Sequence, residues 1–261
     1  MERQENISTL CLCDAHAHLA RCVSSPLNLH LDSLLPRLKE RGVCRILSNG
    51  TRPQDWEDTL RLSSPEDGIF CAIGVHPFYC DDWNPETEQH LRELIASNEG
   101  RRVAAIGEIG LDGVCGDDAL QRQKPVFARQ LEIALEYGMP VCLHLRKAWP
   151  LFWEVLKGKR IITLRGCCHN FTGSPEVART LLNLGLHLSF GKTVSNPAAR
   201  NCRRTAQMMP LERILTETDC PDMGESPADA EIPLKAIAEL RNIPVETLAK
   251  QVFENFRQLF G

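Results

Sequence analysis

The sequence predicts a (β/α)8 TIM barrel, a ring of eight parallel strands each followed by a helix. Three features point there. Short apolar runs recur eight times along the chain and alternate with segments whose apolar residues repeat at helical spacing. The runs are nearly continuous in their apolar character, as strands covered by helices on both faces require. Eight such units need about 250 residues, and the chain has 261. An open doubly wound sheet is disfavoured, because no glycine-rich dinucleotide fingerprint follows the first strand. With no linker, low-complexity tract or charge block in view, residues 1–261 read as one domain.

The elements follow in order. Residues 7–18 read as a first strand entering a polar loop, and 31–38 as a helix with Gly42 at its stop. Pro36 fits that helix only in its first turn or at a kink. Residues 43–47 are a strand ending in Ser48-Asn49-Gly50-Thr51, 53–62 a helix, and 69–75 a strand closed by His76-Pro77. A helix over 87–96 leads to a strand over 103–106, which runs into Gly107-Glu108-Ile109-Gly110-Leu111-Asp112. Residues 119–137 form a long amphipathic helix stopped by Gly138; 140–143 are a strand ending in His144-Leu145-Arg146. Then come a helix over 149–156, a strand over 161–168 ending in His169-Asn170-Phe171, and a helix over 175–184 capped by Gly185. Residues 187–190 are a strand, followed by a polar helical segment through Met209. The last strand, 213–216, ends in Glu217-Thr218-Asp219-Cys220-Pro221, and helices near 232–241 and 245–259 close the chain.

Composition sets the class. Hydrophobic content of 43% and charged content of 25% are ordinary for a globular protein. No apolar run is long enough to span a bilayer, and Met1-Glu2-Arg3-Gln4-Glu5-Asn6 is too polar for a secretory signal. A cytoplasmic location with no membrane partner is expected. The net charge of −4 gives no general pull on nucleic acid, so any phosphate affinity must be local. Bound divalent cations would supply it. The 12 cysteines lack zinc-ribbon spacing, and Cys44, Cys71, Cys142 and Cys167 fall in or beside strand-like runs, where cysteine acts as a small buried apolar residue. Reduced thiols are expected.

The chemistry begins at Asp14-Ala15-His16-Ala17-His18. In an extended segment His16 and His18 share a face and can reach one metal ion, with Asp14 on the same side. Such a pair alone is a weak signal. However, His76, Glu108, His144, His169 and Asp219 each follow a later strand, and a parallel barrel opens all its strand C-termini on one face. One histidine at such a place is more often a packing residue; five of them with two carboxylates read as a binuclear metal site. Imidazole and carboxylate ligands without matching cysteines suit Zn2+, Mn2+ or Mg2+. Arg146, Lys147, Arg165 and Lys192, on or just after strands, are candidate phosphate contacts.

Five strings carry a more specific likeness: Asp14-Ala15-His16-Ala17-His18, Gly74-Val75-His76-Pro77, Gly107-Glu108-Ile109-Gly110-Leu111-Asp112, His169-Asn170-Phe171-Thr172-Gly173 and Thr216-Glu217-Thr218-Asp219-Cys220-Pro221. Together, and in this order, they resemble the motif set of the TatD-family metal-dependent hydrolases, down to Asn255-Phe256-Arg257-Gln258-Leu259-Phe260. The resemblance implies a barrel of the metal-dependent hydrolase type with two divalent ions. It implies a deoxyribonuclease or 3'-5' exonuclease-like phosphodiesterase, with DNA or another phosphodiester as transient partner. Carried over by motif, His16, His18 and Asp219 would hold one ion, His144 and His169 the other, and Glu108 would bridge them. Asp219 and Glu108 would serve catalysis, with Asp219 orienting the attacking water or taking its proton. His76 resembles the family's substrate-contacting histidine and, with Arg146, is expected to bind substrate. Asp14 is expected as an acceptor that fixes the histidine pair, and Cys220 as a packing residue. One departure stands out. Residues 222–231 are acidic where TatD-type sequences usually carry a basic loop, which favours the alternative of a non-nucleic-acid ester or amide substrate, as in an amidase or lactonase. A monomer is expected.

Overall fold

The computed structural model describes residues 10–24, 31–97 and 103–261. Eight strands form the sheet: β1 (Leu12–Ala17), β2 (Val43–Asn49), β3 (Ile69–Ile73), β4 (Val103–Asp112), β5 (Val141–Arg146), β6 (Gly166–Cys168), β7 (Leu186–Phe190) and β8 (Ile214–Thr216). They pair in chain order, each parallel to the next. The last strand returns to the first: Thr216 Oγ1 donates to the Cys13 carbonyl at 2.9 Å, and Asp219 N to the His16 carbonyl at 2.8 Å. The result is a nearly closed TIM barrel.

Around it lie α1 (Leu19–Ser24), α2 (Leu31–Glu40), α3 (Pro53–Arg61), α4 (Pro85–Ala96), α5 (Asp117–Glu136), α6 (Trp149–Gly158), α7 (Pro175–Asn183), α8 (Arg200–Met208), α9 (Glu231–Arg241) and α10 (Val245–Phe260). Local chemistry explains several of their ends. Pro53, Pro85 and Pro175 sit in first turns, where a missing N–H costs nothing, and Asn84 caps α4 by accepting from Thr87 N at 2.8 Å. Gly42 and Gly185 follow α2 and α7 at φ values of +82° and +100°, which favour glycine. Strands β1, β3, β7 and β8 are buried along their whole length, and Trp56, Phe127, Phe152 and Phe256 fill the space between sheet and helices. Each such aromatic contributes on the order of 1.5–3 kcal/mol through burial. No helix among the described residues is long and apolar enough to cross a membrane.

Most expected elements are present with shifted ends. The first strand begins at Leu12, and residues 7–9 of its expected range lie outside the described part. Helix α1 was not foreseen, and Pro36 falls in the second turn of α2. The strand expected over 161–168 contracts to Gly166–Cys168: Ile162 is 84% exposed, so its β-branched run has no sheet to join. Gly166, at φ +144°, passes so close to β5 that a Cβ there would lie 2.0 Å from the Val141 oxygen. Conversely β4 runs on through Asp112, with a register irregularity between Ile106 and Ile109. Glu108 therefore sits inside the strand, at that irregularity, rather than beyond its end.

Candidate metal centre

Five imidazoles surround the Glu108 carboxylate at the C-terminal mouth of the barrel. Glu108 Oε2 lies 3.3 Å from His16 Nε2 and 3.6 Å from His18 Nε2. Oε1 lies 2.8 Å from His144 Nδ1, 3.0 Å from His169 Nε2 and 3.4 Å from His76 Nε2. Asp219 Oδ1 closes the first group, 3.4 Å from His18 Nε2 and 3.8 Å from His16 Nε2. The two oxygens of one carboxylate thus divide the rings into two sets. Asp219 itself has φ +53°, a strained conformation held where β8 meets β1.

The outer nitrogens decide what the inner ones can do. His18 Nδ1 donates to the Asn49 carbonyl at 2.9 Å, so its Nε2 turns a lone pair inward. His144 Nε2 faces Asp112 Oδ2 at 2.9 Å and His169 Nδ1 faces Glu217 Oε1 at 3.3 Å, with the same consequence. His16 Nδ1 sits 3.1 Å from Cys142 Sγ. His76 is wired the other way: its Nδ1 accepts the Phe78 backbone N–H at 3.1 Å, so its Nε2 carries the proton. In their neutral forms His18, His144 and His169 turn a lone pair to the centre, whereas His76 turns a donor.

The electrostatics suit a cation. Burial would raise the Glu108 pKa, yet His76, His169 and His16 hold it well below the usual carboxylate range. Burial opposes charge on His18, but Asp219 and Glu108 outweigh it and hold that imidazole up at about 9. Inner nitrogens of His144 and His169 lie 3.0 Å apart, and His16 Nε2 is buried with Glu108 Oε2 at 3.3 Å as its nearest charged neighbour. Lone pairs crowded on a buried carboxylate repel unless protons or metal ions lie among them. Four sets of ligand atoms among the described residues, His16/His18/Glu108, His16/His169/Asp219, His76/Glu108/His144 and, at the rim, His18/Asp219/Asp222, each fall within 4.8 Å of one another. A nitrogen and oxygen donor set of this kind fits divalent cations of the zinc and manganese type.

Every metal-site residue expected from the sequence, and His76, is in this cluster. Arg146 stands at its edge, 61% exposed, with Nη1 4.0 Å from Asp112 Oδ2. Lys147 and Lys192 are exposed just beyond β5 and within the loop after β7. Arg165 is elsewhere: it precedes β6, at the opposite end of the barrel, and donates to the Gln258 and Leu259 carbonyls. Asp14 falls in none of these ligand sets among the described residues; it accepts from His16 N and from Thr218. Cys220 is fully buried, as expected. Asp112, Glu217 and Asn49 received no role from the sequence, and Cys142 was read only as a buried apolar residue; for the two carboxylates, their place beside the expected histidines was the available signal. The acidic loop is partly neutralised, because Asp222 pairs with both terminal nitrogens of Arg21 at 2.6 and 2.7 Å. Asp229 is occupied by the backbone N–H groups of Glu225 and Ser226.

Known proteins share this arrangement of chain. The family model described as TatD related DNase matches residues 13–261. The metal-dependent hydrolase YabD of Bacillus subtilis is 32% identical over 257 residues, covering 95% of this chain and 98% of YabD. The 3'-5' ssDNA/RNA exonuclease TatD of Pantoea ananatis is 33% identical over 244 residues, 88% of this chain and 93% of its own. Among solved structures, the TatD homologue YjjV of Escherichia coli superposes with a TM-score of 0.86 at 28% identity, covering 97% of this chain and 98% of YjjV. The match extends from the first strand to the last residue, and on it the chain belongs to the TatD family of metal-dependent hydrolases.

Proposed function

We propose that the protein hydrolyses phosphodiester bonds in nucleic acid, DNA foremost, at two divalent cations. His16, His18 and Asp219 would hold one cation and His144 and His169 the other, with Glu108 shared between them. The observation that carries this reading is the division of five rings by the two oxygens of Glu108, with His76 opposite in polarity to His18, His144 and His169. Bound cations supply Lewis acidity, lowering the pKa of water and offsetting charge on phosphoryl oxygens.

The chain's own groups do the remainder. His76 Nε2–H is a fixed donor for a non-bridging phosphoryl oxygen, and as a neutral donor it needs no proton from solution. Asp219 Oδ1 is the oxygen turned toward His16 and His18, leaving Oδ2 to take a proton from the attacking water. Arg146, held loosely by Asp112, can follow an approaching phosphate. The Arg21–Asp222 pair removes one negative charge from the acidic loop, which weakens the case for a neutral ester or amide. The exonuclease activity named for the Pantoea relative favours the same reading.

The test is Glu108→Ala, assayed on single-stranded DNA labelled at its 5' end and on a p-nitrophenyl phosphodiester with Mg2+, Mn2+ or Zn2+. Circular dichroism should be unchanged and turnover lost. A wild-type protein that cleaves aryl esters or lactones but neither phosphodiester would overturn the assignment.

A further inference from the structure

Phe78 is out of place for its residue type. Of nine phenylalanines it is the one that stands exposed among the described residues, at 55%. A single exposed apolar residue is commonplace, so its surroundings must carry the argument. Its ring lies 4.6 Å, centroid to centroid, from His76 at 81°, and 6.3 Å from His144 at 61°. These near-perpendicular contacts hold the ring against the rim of the metal centre while half of it faces solvent. Its own backbone N–H fixes the His76 tautomer.

The ring is also rigidly mounted. It belongs to a 3-10 segment, Pro77–Asp82, in which Pro77 and Cys80 are buried. Tyr79 N donates to the His76 carbonyl at 2.9 Å. The Arg52 guanidinium covers Tyr79 at 4.5 Å and pairs with Asp82 at 2.9 Å, so the neighbouring aromatic is already occupied and Phe78 is not. A preorganised aromatic face loses little entropy on binding.

We infer that Phe78 is a stacking platform for the nucleobase attached to the phosphate that His76 holds. The inference rests on the phosphodiester reading and narrows it to substrates carrying a planar base beside the scissile bond. The Phe78 ring, 4.6 Å from His76, is the neighbouring aromatic surface that the ester substituent of a phosphate on His76 would meet. Bases stack on such rings with little regard to sequence, because every base has a π-face. The face then supplies selectivity for unpaired ends, since a base within a duplex is stacked on its neighbours and cannot also cover Phe78.

Calorimetric titration of the metal-loaded protein with thymidine 5'-monophosphate and with 2-deoxyribose 5-phosphate isolates the base from the phosphate. The nucleotide should bind roughly tenfold tighter. Phe78→Ala should erase that ratio with metal content and sugar-phosphate affinity unchanged, and Phe78→Trp should keep it. Equal binding of the two ligands by the wild type, or an undiminished ratio in Phe78→Ala, overturns the platform and leaves the phosphodiester reading standing. Binding of neither ligand, together with no cleavage of a phosphodiester, removes both.

Discussion

Thr218 donates its hydroxyl to Asp14 Oδ2 at 2.5 Å, across the seam where the last strand meets the first. The Thr218 backbone N–H reaches Asp14 Oδ1 at 2.9 Å, and His16 N reaches the same oxygen at 3.2 Å. One fully buried carboxylate therefore sets the spacing between His16 on β1 and Asp219 after β8.

Thr218→Val keeps the shape and removes one donor from that carboxylate. Leaving a buried acceptor short costs about 1–3 kcal/mol, so a urea titration should show the variant about 2 kcal/mol less stable. For a protein of this size the melting temperature should fall by roughly 4–8 °C. Thr59→Val is the control: the Thr59 hydroxyl is buried without a hydrogen bond, so its removal should cost little. Equal losses in the two variants would show that the Asp14 contact contributes nothing of its own.

The opposite wiring of His76 and His18 makes the proposed roles in substrate and metal binding separable by experiment. His18 turns a lone pair inward and His76 an N–H. His18→Ala should lose bound metal and, with it, the fall in melting temperature that a chelator causes in the wild type. His76→Ala should retain its metal and its chelator response but lose about 10- to 100-fold in kcat/KM, the equivalent of one hydrogen bond to a charged group. Elemental analysis beside a thermal scan distinguishes the two; loss of metal from His76→Ala would make it a ligand.

The sequence exposes the proposed ligands more readily than what orients them. His16 and His18 announce themselves by a spacing of two in a strand, and the later residues by falling after apolar runs. Asp112 and Glu217 lay in the quoted strings without a role, because which ring nitrogen they touch depends on register and rotamer. Arg21 and Asp222 are 201 residues apart and meet only because the barrel closes. Arg165 looked like a site cation because it borders an apolar run, yet the strand begins after it, and this puts it at the wrong end. Strand β6 was overestimated for a related reason: β-branched residues favour a strand only where a partner is present, and none stands beside Ile162.

His187, in β7 opposite Cys167, is a buried histidine remote from the metal centre. Burial and the nearby Arg213 push its pKa down to about 4, against weak opposition from backbone groups of Glu212 and Gly166. In the unfolded chain an ordinary histidine titrates near 6.5. Between those values the unfolded state binds more protons than the folded one, so stability rises with pH across the window and is lost as pH falls from about 6.5 to about 4. Below the window both states are protonated and the loss is complete, on the order of 3 kcal/mol. Other groups titrate there too, so the useful quantity is the difference between wild type and His187→Leu, in which their shared contributions cancel. Chemical denaturation at pH 7.5, 6, 5 and 4 should show the variant gaining on the wild type at each step down. If the two curves instead run parallel, water or a carbonyl already serves the imidazolium within the fold.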